Sequence, residues 1–370
     1  MSWITATYRI RAPRAQLDDF ARGLALEQSV ELSDAAVTDA FVRERVMGRV
    51  AAIRPGAADV HDVDLHLATV TTGLDVAQTL NMLFGNASLH PNVALVDVVF
   101  PPEVTAEFQG PRFGIAGVRA RLGVADRPLS CAALKPQGLS SEALAALCYT
   151  LAVNGVDVVK DDHGLADQAY APFAERAAAC QRAVTRAAQD TGRGCLYAPS
   201  LVGAPAALAA QARIAQDLGV GAVLVAPALV GMPAFAELVT NHLDVPVLAH
   251  PAMAGAVRIA PPLLLGKLFR WLGADAVIFP NFGGRFSFDE TVCAALAANA
   301  RGAMAGYRPM LPVPAGGLAV ERVAELVAFY GRDVMLLIGG ALLAGDVAAR
   351  TRAFVAALER APAAACAATP

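Results

Sequence analysis

The sequence predicts an α/β protein, with a carboxyl-terminal (β/α)8 TIM barrel preceded by a smaller α+β domain of the ferredoxin-like type. The chain has 370 residues, which is long for one compact domain and suits two of unequal size. From about residue 127, short apolar runs alternate with Ala/Leu-rich segments of helical spacing, a pattern typical of parallel sheets with crossover helices. We expect the α+β domain in residues 1–118, the barrel in 119–360 and a disordered alanine-rich tail in 361–370.

The first hundred residues combine strand-like and helix-like patterns. WITATYRIRA (3–12) alternates apolar and polar residues like a half-buried strand, and RAQLDDFARGLALEQS (14–29) has helical spacing. Two strands are predicted in RERVMGRVAAIRP (43–55) and DVHDVDLHLATV (59–70). A helix from about Asp75 to Phe84 and a strand in NVALVDVVF (92–100) complete the predicted α+β domain.

The barrel prediction depends on eight apolar strand candidates, each followed by a helix-like segment. They are LSCAALK (129–135), GVDVVKDD (155–162), GCLYAPS (194–200), GAVLVAPA (221–228), VPVLAHP (245–251), DAVIFPN (275–281), PMLPVPAGG (309–317) and VMLLIGG (334–340). Eight consecutive βα units over about 240 residues match a (β/α)8 barrel. The alternative is an open doubly wound sheet, but no GxGxxG opens the first unit to support it.

Composition excludes several classes of protein. The net charge is −3 and the sequence has no basic run, so we expect neither a nucleic-acid nor an anionic-membrane partner. No apolar stretch reaches the ~18–20 residues of a membrane span, and the amino terminus lacks the apolar core of a signal peptide. The six cysteines have no CxxC spacing, which favours reduced thiols. We expect a cytoplasmic protein.

Polar residues concentrate at the carboxyl ends of the predicted strands, where a barrel has its active site. They are Lys135, the run Lys160-Asp161-Asp162-His163, His250, Asn281, and the glycine pairs Gly316-Gly317 and Gly339-Gly340. Strand alternation turns Lys160 and Asp162 to one face and Asp161 to the other. Taken alone, Lys160 and Asp162 are also compatible with a plain salt bridge. Glycine pairs on the last two strands suit a phosphate site made of backbone N–H groups.

Several of these segments together resemble a known family. They are NGVDVVKDDHG (154–164), FQGPRFGIAGVR (108–119), ALKPQGLS (133–140), VLAHPAM (247–253), PAGG (314–317) and LIGG (337–340). In this order they resemble the large subunit of ribulose-bisphosphate carboxylase/oxygenase, and specifically its RuBisCO-like (form IV) relatives. LEQS and LFGNA also match, placing Glu27 and Asn86 at the family's two amino-terminal active-site positions.

The resemblance implies a metal site. Lys160 matches the lysine that CO2 converts to a carbamate, and Asp162 matches a second ligand of Mg²⁺. The family's third ligand is a glutamate, and here the residue is His163, which suits Zn, Mn, Fe or Ni better. Three possibilities follow: Mg²⁺ held by fewer protein ligands, a different metal, or no metal. His163 is also compatible with a simple hydrogen bond within its loop.

Further catalytic roles follow from the same resemblance. Lys135 matches a lysine that assists proton transfer at the enolising carbon, a role that suits a buried amine of lowered pKa. His250 matches a histidine that contacts a substrate hydroxyl, although a structural role is the alternative. Arg285 replaces the lysine of the mobile loop after the sixth strand. The family's site also combines two subunits, which implies a homodimer or dimer-based oligomer in which Glu27 and Asn86 act on the partner's barrel.

Departures from the family pattern argue against carboxylation of ribulose bisphosphate. Pro251 and Ile278 replace the residues that hold the second phosphate, and Gln137 replaces a lysine. Burying a phosphate against Pro and Ile would be costly. We therefore expect enolisation of a small, singly phosphorylated substrate.

Three functions remain open on the sequence. The first, which the sequence favours, is a 3-oxo-isoapionate-4-phosphate transcarboxylase/hydrolase, because Arg285 and Lys135 could hold a migrating carboxylate. The second is a 5-methylthioribulose-1-phosphate isomerase or the related diketo-phosphate enolase of methionine salvage, because the apolar end suits a methylthio group. A non-catalytic binding barrel is the third, although two lysines at a barrel mouth argue against it.

Overall fold

The computed structural model describes residues 2–286, 288–304 and 306–361. They form two compact units: residues 2–109 with Ala254–Leu264, and Gly110–Met253 with the described residues from Leu265 onward. The second unit begins nine residues before the expected position 119, and Ala254–Leu264, expected within the barrel, belongs to the first unit. Apart from Ala361, the predicted tail lies outside the described residues.

The first unit is an antiparallel sheet with helices. Its strands are β1 (Trp3–Arg11), β2 (Arg49–Arg54), β3 (Val60–Ala68) and β4 (Val93–Val99), and its helices are α1 (Arg14–Glu27), α2 (Ala40–Arg45), α3 (Val76–Phe84) and α4 (Pro102–Glu107). The sheet order is β2-β3-β1-β4, so the chain follows the split β-α-β-β-α-β arrangement with α2 added. Alternate β1 residues are buried, and α1 buries Leu17, Ala21 and Leu24 at helical spacing. The predicted α+β fold is confirmed.

The second unit alternates strands and helices. Its strands are β5 (Leu129–Leu134), β6 (Val158–Asp161), β7 (Leu196–Ala198), β8 (Ser200–Leu201), β9 (Val223–Val225), β10 (Val247–Ala249), β11 (Ala276–Pro280), β12 (Leu311–Ala315) and β13 (Met335–Ile338). Its helices are α5 (Gly114–Leu122), α6 (Ser141–Val153), α7 (Phe173–Thr191), α8 (Pro205–Asp217), α9 (Pro227–Val230), α10 (Met232–His242), α11 (Phe269–Trp271), α12 (Glu290–Arg301), α13 (Val323–Tyr330) and α14 (Val347–Arg360). A π-helix, Pro262–Leu268, precedes α11.

The strands of this unit pair in parallel as a barrel. One run is β13-β5-β6-β7 and the other is β8-β9-β10-β11-β12. β7 and β8 are two halves of one predicted strand, interrupted at Pro199, which has no N–H for a ladder. β12 and β13 contact each other, and all eight predicted strand positions are present. The (β/α)8 barrel is confirmed.

Small and aliphatic side chains fill the barrel interior. They include Cys131, Ala133, Val158, Ala198, Leu224, Leu248, Ile278, Val313 and Leu337. These come from alternate positions along the strands, as expected when one face of each strand points inward. The barrel is therefore a packed core, and polar chemistry is confined to its ends.

Two buried aspartates bind the amino-terminal ends of the strands. Asp157, just before β6, accepts both Nη groups of Arg127 at 2.7 Å and the N–H and Oγ of Ser130 at 2.8 Å. Asp275, just before β11, accepts three backbone N–H groups, those of Phe113, Gly114 and Val247. Each buried carboxylate thus has several fixed donors.

Two composition-based expectations concern cysteines and membrane spans. The five cysteines in the described ranges are free thiols, four of them buried, and Cys366 lies outside these ranges. Among the helices that the structure describes, none combines the length and apolar character needed to cross a membrane.

Candidate active site

Lys135, Lys160 and Asp162 meet at the carboxyl ends of β5 and β6. Parallel pairing aligns Ala133 with Lys160, so the residues after both strands emerge side by side. The Lys135 ammonium contacts Asp162 Oδ2 directly. Lys160 and Asp162 are each only 3% exposed. Lys160 and Asp162 therefore lie on the face of β6 to which strand alternation assigns them.

Both lysines at this mouth have a lowered pKa. Burial lowers the pKa of Lys160 to about 8; the charge of Lys135 acts in the same direction, while Cys131 and Asp161 oppose it. Its Nζ donates to the Asp161 carbonyl at 2.9 Å. Burial and the nearby Arg285 also lower the pKa of Lys135, an effect that the adjacent carboxylate of Asp162 opposes. These amines lose a proton more easily than ordinary lysines, which suits proton transfer.

His163 and His250 stack on each other beside the lysines. Their ring centroids lie 4.2 Å apart at an interplanar angle of 12°. His250 Nδ1 accepts the N–H of Ala252 at 3.1 Å, so in the neutral ring Nε2 carries the proton. Burial and nearby cations lower the pKa of His250 to about 2 and also lower the pKa of His163. His250 is therefore a neutral hydrogen-bond donor at the mouth.

The glycine pairs lie beside two cations. Gly316 and Gly317 have φ of +88° and +105°, a conformation that glycine adopts readily. A Cβ on Gly317 would lie 3.3 Å from Arg285 Cγ, and one on Gly339 would lie 3.8 Å from Lys135 Cε. The Arg285 N–H donates to the Gly316 carbonyl at 2.8 Å. Gly317 thus lies beside Arg285 and Gly339 beside Lys135, so each predicted glycine pair has a cationic residue next to it.

Glu27 and Asn86 contact each other within the first unit. Asn86 Nδ2 donates to Glu27 Oε1 at 2.8 Å. The neighbouring Gln28 is buried and joins the end of α1 to the residues around Asn86: its Nε2 donates to the Met82 carbonyl, and its Oε1 accepts the N–H of Ala87. The two predicted residues are therefore held together as a pair.

One polar residue assigned to the mouth, Asn281, has a different role in the structure, and two substituted positions, Ile278 and Gln137, gain a defined environment. Asn281 is 1% exposed and accepts the Tyr330 hydroxyl at 2.6 Å, so it braces the loop after β11 rather than serving as a free polar group at the mouth. Ile278 belongs to the barrel core. The Gln137 amide lies against Gly164, where a Cβ would collide with it.

Asp161 was predicted to face away from the mouth, and the structure shows what it contacts there. Its carboxylate is fully buried and accepts from Arg176 Nε at 2.9 Å, the Tyr197 hydroxyl at 2.8 Å and the Ser200 N–H at 3.1 Å. Sequence reasoning missed Arg176. The available signal was an arginine on the apolar stripe of a helix, four residues before Cys180.

The unmodified residues do not fit the predicted magnesium site. Asp162 Oδ2 contacts Lys135, and Oδ1 accepts the Gly164 N–H at 3.1 Å and lies 3.1 Å from His163 Nδ1. Lys160 is a cation near neutral pH. Over the described ranges, no group of three or more His, Cys, Asp or Glu side chains is arranged to hold a metal. Mg²⁺ prefers several oxygen ligands, and this set offers one carboxylate.

Comparisons with known proteins give the family. Residues 114–365 match the model for the ribulose bisphosphate carboxylase large chain, catalytic domain. The chain is 50% identical to ribulose bisphosphate carboxylase-like protein 1 of Rhodopseudomonas palustris over 92% of this chain and 93% of that protein. It is 46% identical to the 5-methylthioribulose-1-phosphate isomerase of Rhodospirillum rubrum over 99% of both. A crystal structure of a Rubisco-like protein from Rhodopseudomonas palustris superposes with a TM-score of 0.91 at 44% identity, covering 97% of this chain and 98% of that one. The chain belongs to the ribulose bisphosphate carboxylase large-chain family, as one of its RuBisCO-like members.

Proposed function

We propose that this protein isomerises 5-methylthioribulose 1-phosphate or a close analogue. The observation that carries the proposal is the similarity to the Rhodospirillum rubrum isomerase over 99% of both chains. Two lysines of lowered pKa at the barrel mouth support an enzyme rather than a non-catalytic binding barrel. The sequence-based preference for 3-oxo-isoapionate 4-phosphate gives way to what was its alternative.

The charge distribution suits a substrate with one phosphate and one apolar end. Backbone N–H groups of the glycine pairs, with Arg285 beside Gly317, suit a phosphate. Ile278 lies in the barrel core and Pro251 carries no charge, so neither residue offers a cation to a second phosphate. A methylthio group avoids the cost of burying an unpaired charge there.

The proton chemistry is assigned to Lys135 and His250. In its neutral form, Lys135 takes the proton from the carbon next to the carbonyl; the C–H bond breaks and an N–H bond forms. In the enzyme with unmodified Lys160, the His250 Nε2–H and the Lys160 ammonium donate to the two enediolate oxygens as charge develops on them. The hydroxyl proton on the carbon that lost hydrogen then moves to the former carbonyl oxygen, and the Lys135 ammonium returns its proton to the former carbonyl carbon, which completes the isomerisation and restores the amine. The diketo-phosphate enolase reaction, which remains the related alternative, begins with the same proton removal.

Carbamylation of Lys160 and binding of Mg²⁺ remain predictions. A pKa of about 8 leaves a fraction of neutral amine that can react with CO2, and a carbamate would add oxygen ligands to this set. In ¹³C-bicarbonate, a carbamate signal that disappears in Lys160→Met would support it. His163→Glu should raise Mg²⁺ affinity measured by calorimetry, and unchanged affinity contradicts a metal role for this position.

We also propose a homodimer in which Glu27 and Asn86 complete the partner's site, and a cytoplasmic location. Mixing Glu27→Gln and Lys160→Met subunits tests the shared site, because one site of the mixed dimer would then have both native residues. Recovered activity supports sites shared between subunits. A monomer in light scattering, or mixed dimers without activity, contradicts them.

Conversion of 5-methylthioribulose 1-phosphate, followed by ³¹P and ¹³C NMR, tests the proposed function. We expect a new monophosphate without loss of carbon, and no conversion by Lys135→Met. An inert substrate, or equal turnover by Lys135→Met, contradicts the proposal.

A further inference from the structure

Asp161 lies between Lys160, which donates to the enediolate in the proposed chemistry, and Asp162, which contacts the base Lys135, but its side chain points the other way. Strand alternation turns Lys160 and Asp162 to the mouth and Asp161 toward α7. Its carboxylate is 0% exposed and accepts from Arg176 Nε, the Tyr197 hydroxyl and the Ser200 N–H. Asp161 is therefore fixed by a helix and by the next strand of the barrel.

Arg176 connects the same carboxylate to the loop after β6. Its Nη1 donates to the Ala171 carbonyl at 2.5 Å and its Nη2 to the Ala166 carbonyl at 2.7 Å. This loop begins with Asp162 and His163. One guanidinium, fully buried, thus joins the strand end, the loop and the first turn of α7. Movement of any of these three parts would break a buried charged hydrogen bond.

The network also reaches the reactive amine. Lys160 Nζ donates to the backbone carbonyl of Asp161 at 2.9 Å. Because the Asp161 side chain fixes that peptide unit, the position of the amine depends on contacts made on the opposite face of the sheet. Tyr197 completes this face, since its hydroxyl binds Asp161 Oδ1 and its backbone lies in β7 beside β6.

Stability alone does not require such a network. Well-packed apolar residues of similar volume usually stabilise a core at least as well as a buried ion pair. A buried charged network costs desolvation but fixes geometry when every group is satisfied. Here the network of Asp161, Arg176 and Tyr197 lies on the face of β6 opposite to the side chains of Lys160 and Asp162.

We propose that Asp161, Arg176 and Tyr197 are positioning residues that hold Lys160 and Asp162 in reactive geometry. The kinetic part rests on the proposed function, and the positioning itself does not. None of the three residues faces the substrate side of β6, so they act through the residues they hold.

Tyr197→Phe is the sharpest variant, because it removes one hydroxyl from Asp161 without burying an unpaired charge. Tyr149→Phe is the matched control: Tyr149 donates to Asp190 at 2.7 Å on the exposed surface of α6 and α7. We expect Tyr197→Phe to lower kcat by roughly ten- to a hundredfold, since small misplacement of reacting groups is costly, with KM changed less than about twofold. Arg176→Lys keeps the positive charge but loses the planar guanidinium with its several N–H donors, so it should lower kcat in the same way. Tyr149→Phe should match the wild type.

A second readout needs no substrate. The chain has three lysines, Lys135, Lys160 and Lys267, so brief acetylation followed by mass spectrometry resolves each of them. We expect the labelling of Lys160 relative to Lys267 to change at least about threefold in Tyr197→Phe and Arg176→Lys, but not in Tyr149→Phe. If the wild type fails to convert the phosphate, the proposed function fails while the labelling ratio still tests the positioning. An unchanged labelling ratio in folded Tyr197→Phe overturns the proposal, as does an unchanged kcat in an active enzyme.

Discussion

The two ends of β6 use charge in opposite ways. Before the strand, Asp157 accepts four hydrogen bonds from Arg127 and Ser130. After the strand, Lys160 donates to a carbonyl, and its pKa is lowered to about 8. At the first end every charge has a fixed partner of opposite sign, and at the second a buried cation is left in a readily deprotonated state.

The difference separates structural charge from reactive charge within one strand. Arginine serves the structural sites: Arg127 binds Asp157, Arg176 binds Asp161, and the buried Arg270 donates to four backbone carbonyls. Only three of the chain's 30 basic residues are lysines, and two of these stand at the barrel mouth. Arginine stays protonated in proteins, whereas lysine changes its pKa readily, so lysine is the cation suited to moving a proton.

The largest expected effect is at the structural end. Asp157→Ala leaves Arg127 partly buried without its carboxylate, and we expect a loss of about 3–5 kcal/mol in the free energy of unfolding. The control is Asp190→Ala at an exposed site, for which we expect less than about 0.5 kcal/mol. Urea midpoints of the barrel transition measure both. Equal midpoints for the two variants would remove the contrast between the ends of β6.

Replacing Lys160 at the carboxyl end of β6 should raise the free energy of unfolding, whereas replacing Asp157 at the amino-terminal end should lower it. The pKa of Lys160 is lowered from 10.5 to about 8, so between these values the unfolded state binds more protons and stability rises with pH. The penalty of burying the ammonium is fully present below pH 8 and is relieved toward pH 10.5. Lys160→Met should thus be more stable than wild type at pH 7, by up to about 3 kcal/mol, with the gap closing toward pH 10.5. A Lys160→Met protein less stable at pH 7 would contradict the assignment.

A smaller effect is expected at the glycine pairs. Arg285→Ala should weaken inorganic phosphate binding by roughly tenfold, equivalent to about 1.4 kcal/mol, because one charged hydrogen bond is lost. Arg213→Ala, on the exposed surface of α8, is the control.

Ribulose bisphosphate should raise the Tm of the protein no more than inorganic phosphate does. Tighter binding of the bisphosphate would mean that Pro251 and Ile278 were misinterpreted.

The barrel, the strand end that carries Lys135 and the shared face of Lys160 and Asp162 could be predicted from the sequence, but the pairing of Asp162 with Lys135 rather than Lys160 was not predicted. The predicted features follow from backbone rules: βα units repeat, the strand ends collect polar residues, and alternation assigns the face of each side chain. These rules need only the spacing of residues along the chain.

Side-chain partners across elements could not be predicted in this way. The hydrogen bond between Asn281 and Tyr330 depends on how α13 packs against the sheet. The hydrogen bond between Asp161 and Arg176 likewise depends on the packing of α7. The stacking of His163 on His250 likewise depends on two loops meeting. Spacing within one element carries no information on such contacts.

Proton exchange tests the central claim most directly, namely that the charge at the carboxyl end of β6 serves chemistry. The enzyme is incubated in D2O with 5-methylthioribulose 1-phosphate, and deuterium at the carbon next to the carbonyl is followed by ¹H NMR. We predict exchange by the wild type, none above background by Lys135→Met or Lys160→Met, and near-normal exchange by Asp190→Ala. Full exchange by folded Lys160→Met would contradict the account and leave Lys160 and Asp162 as a structural charge cluster.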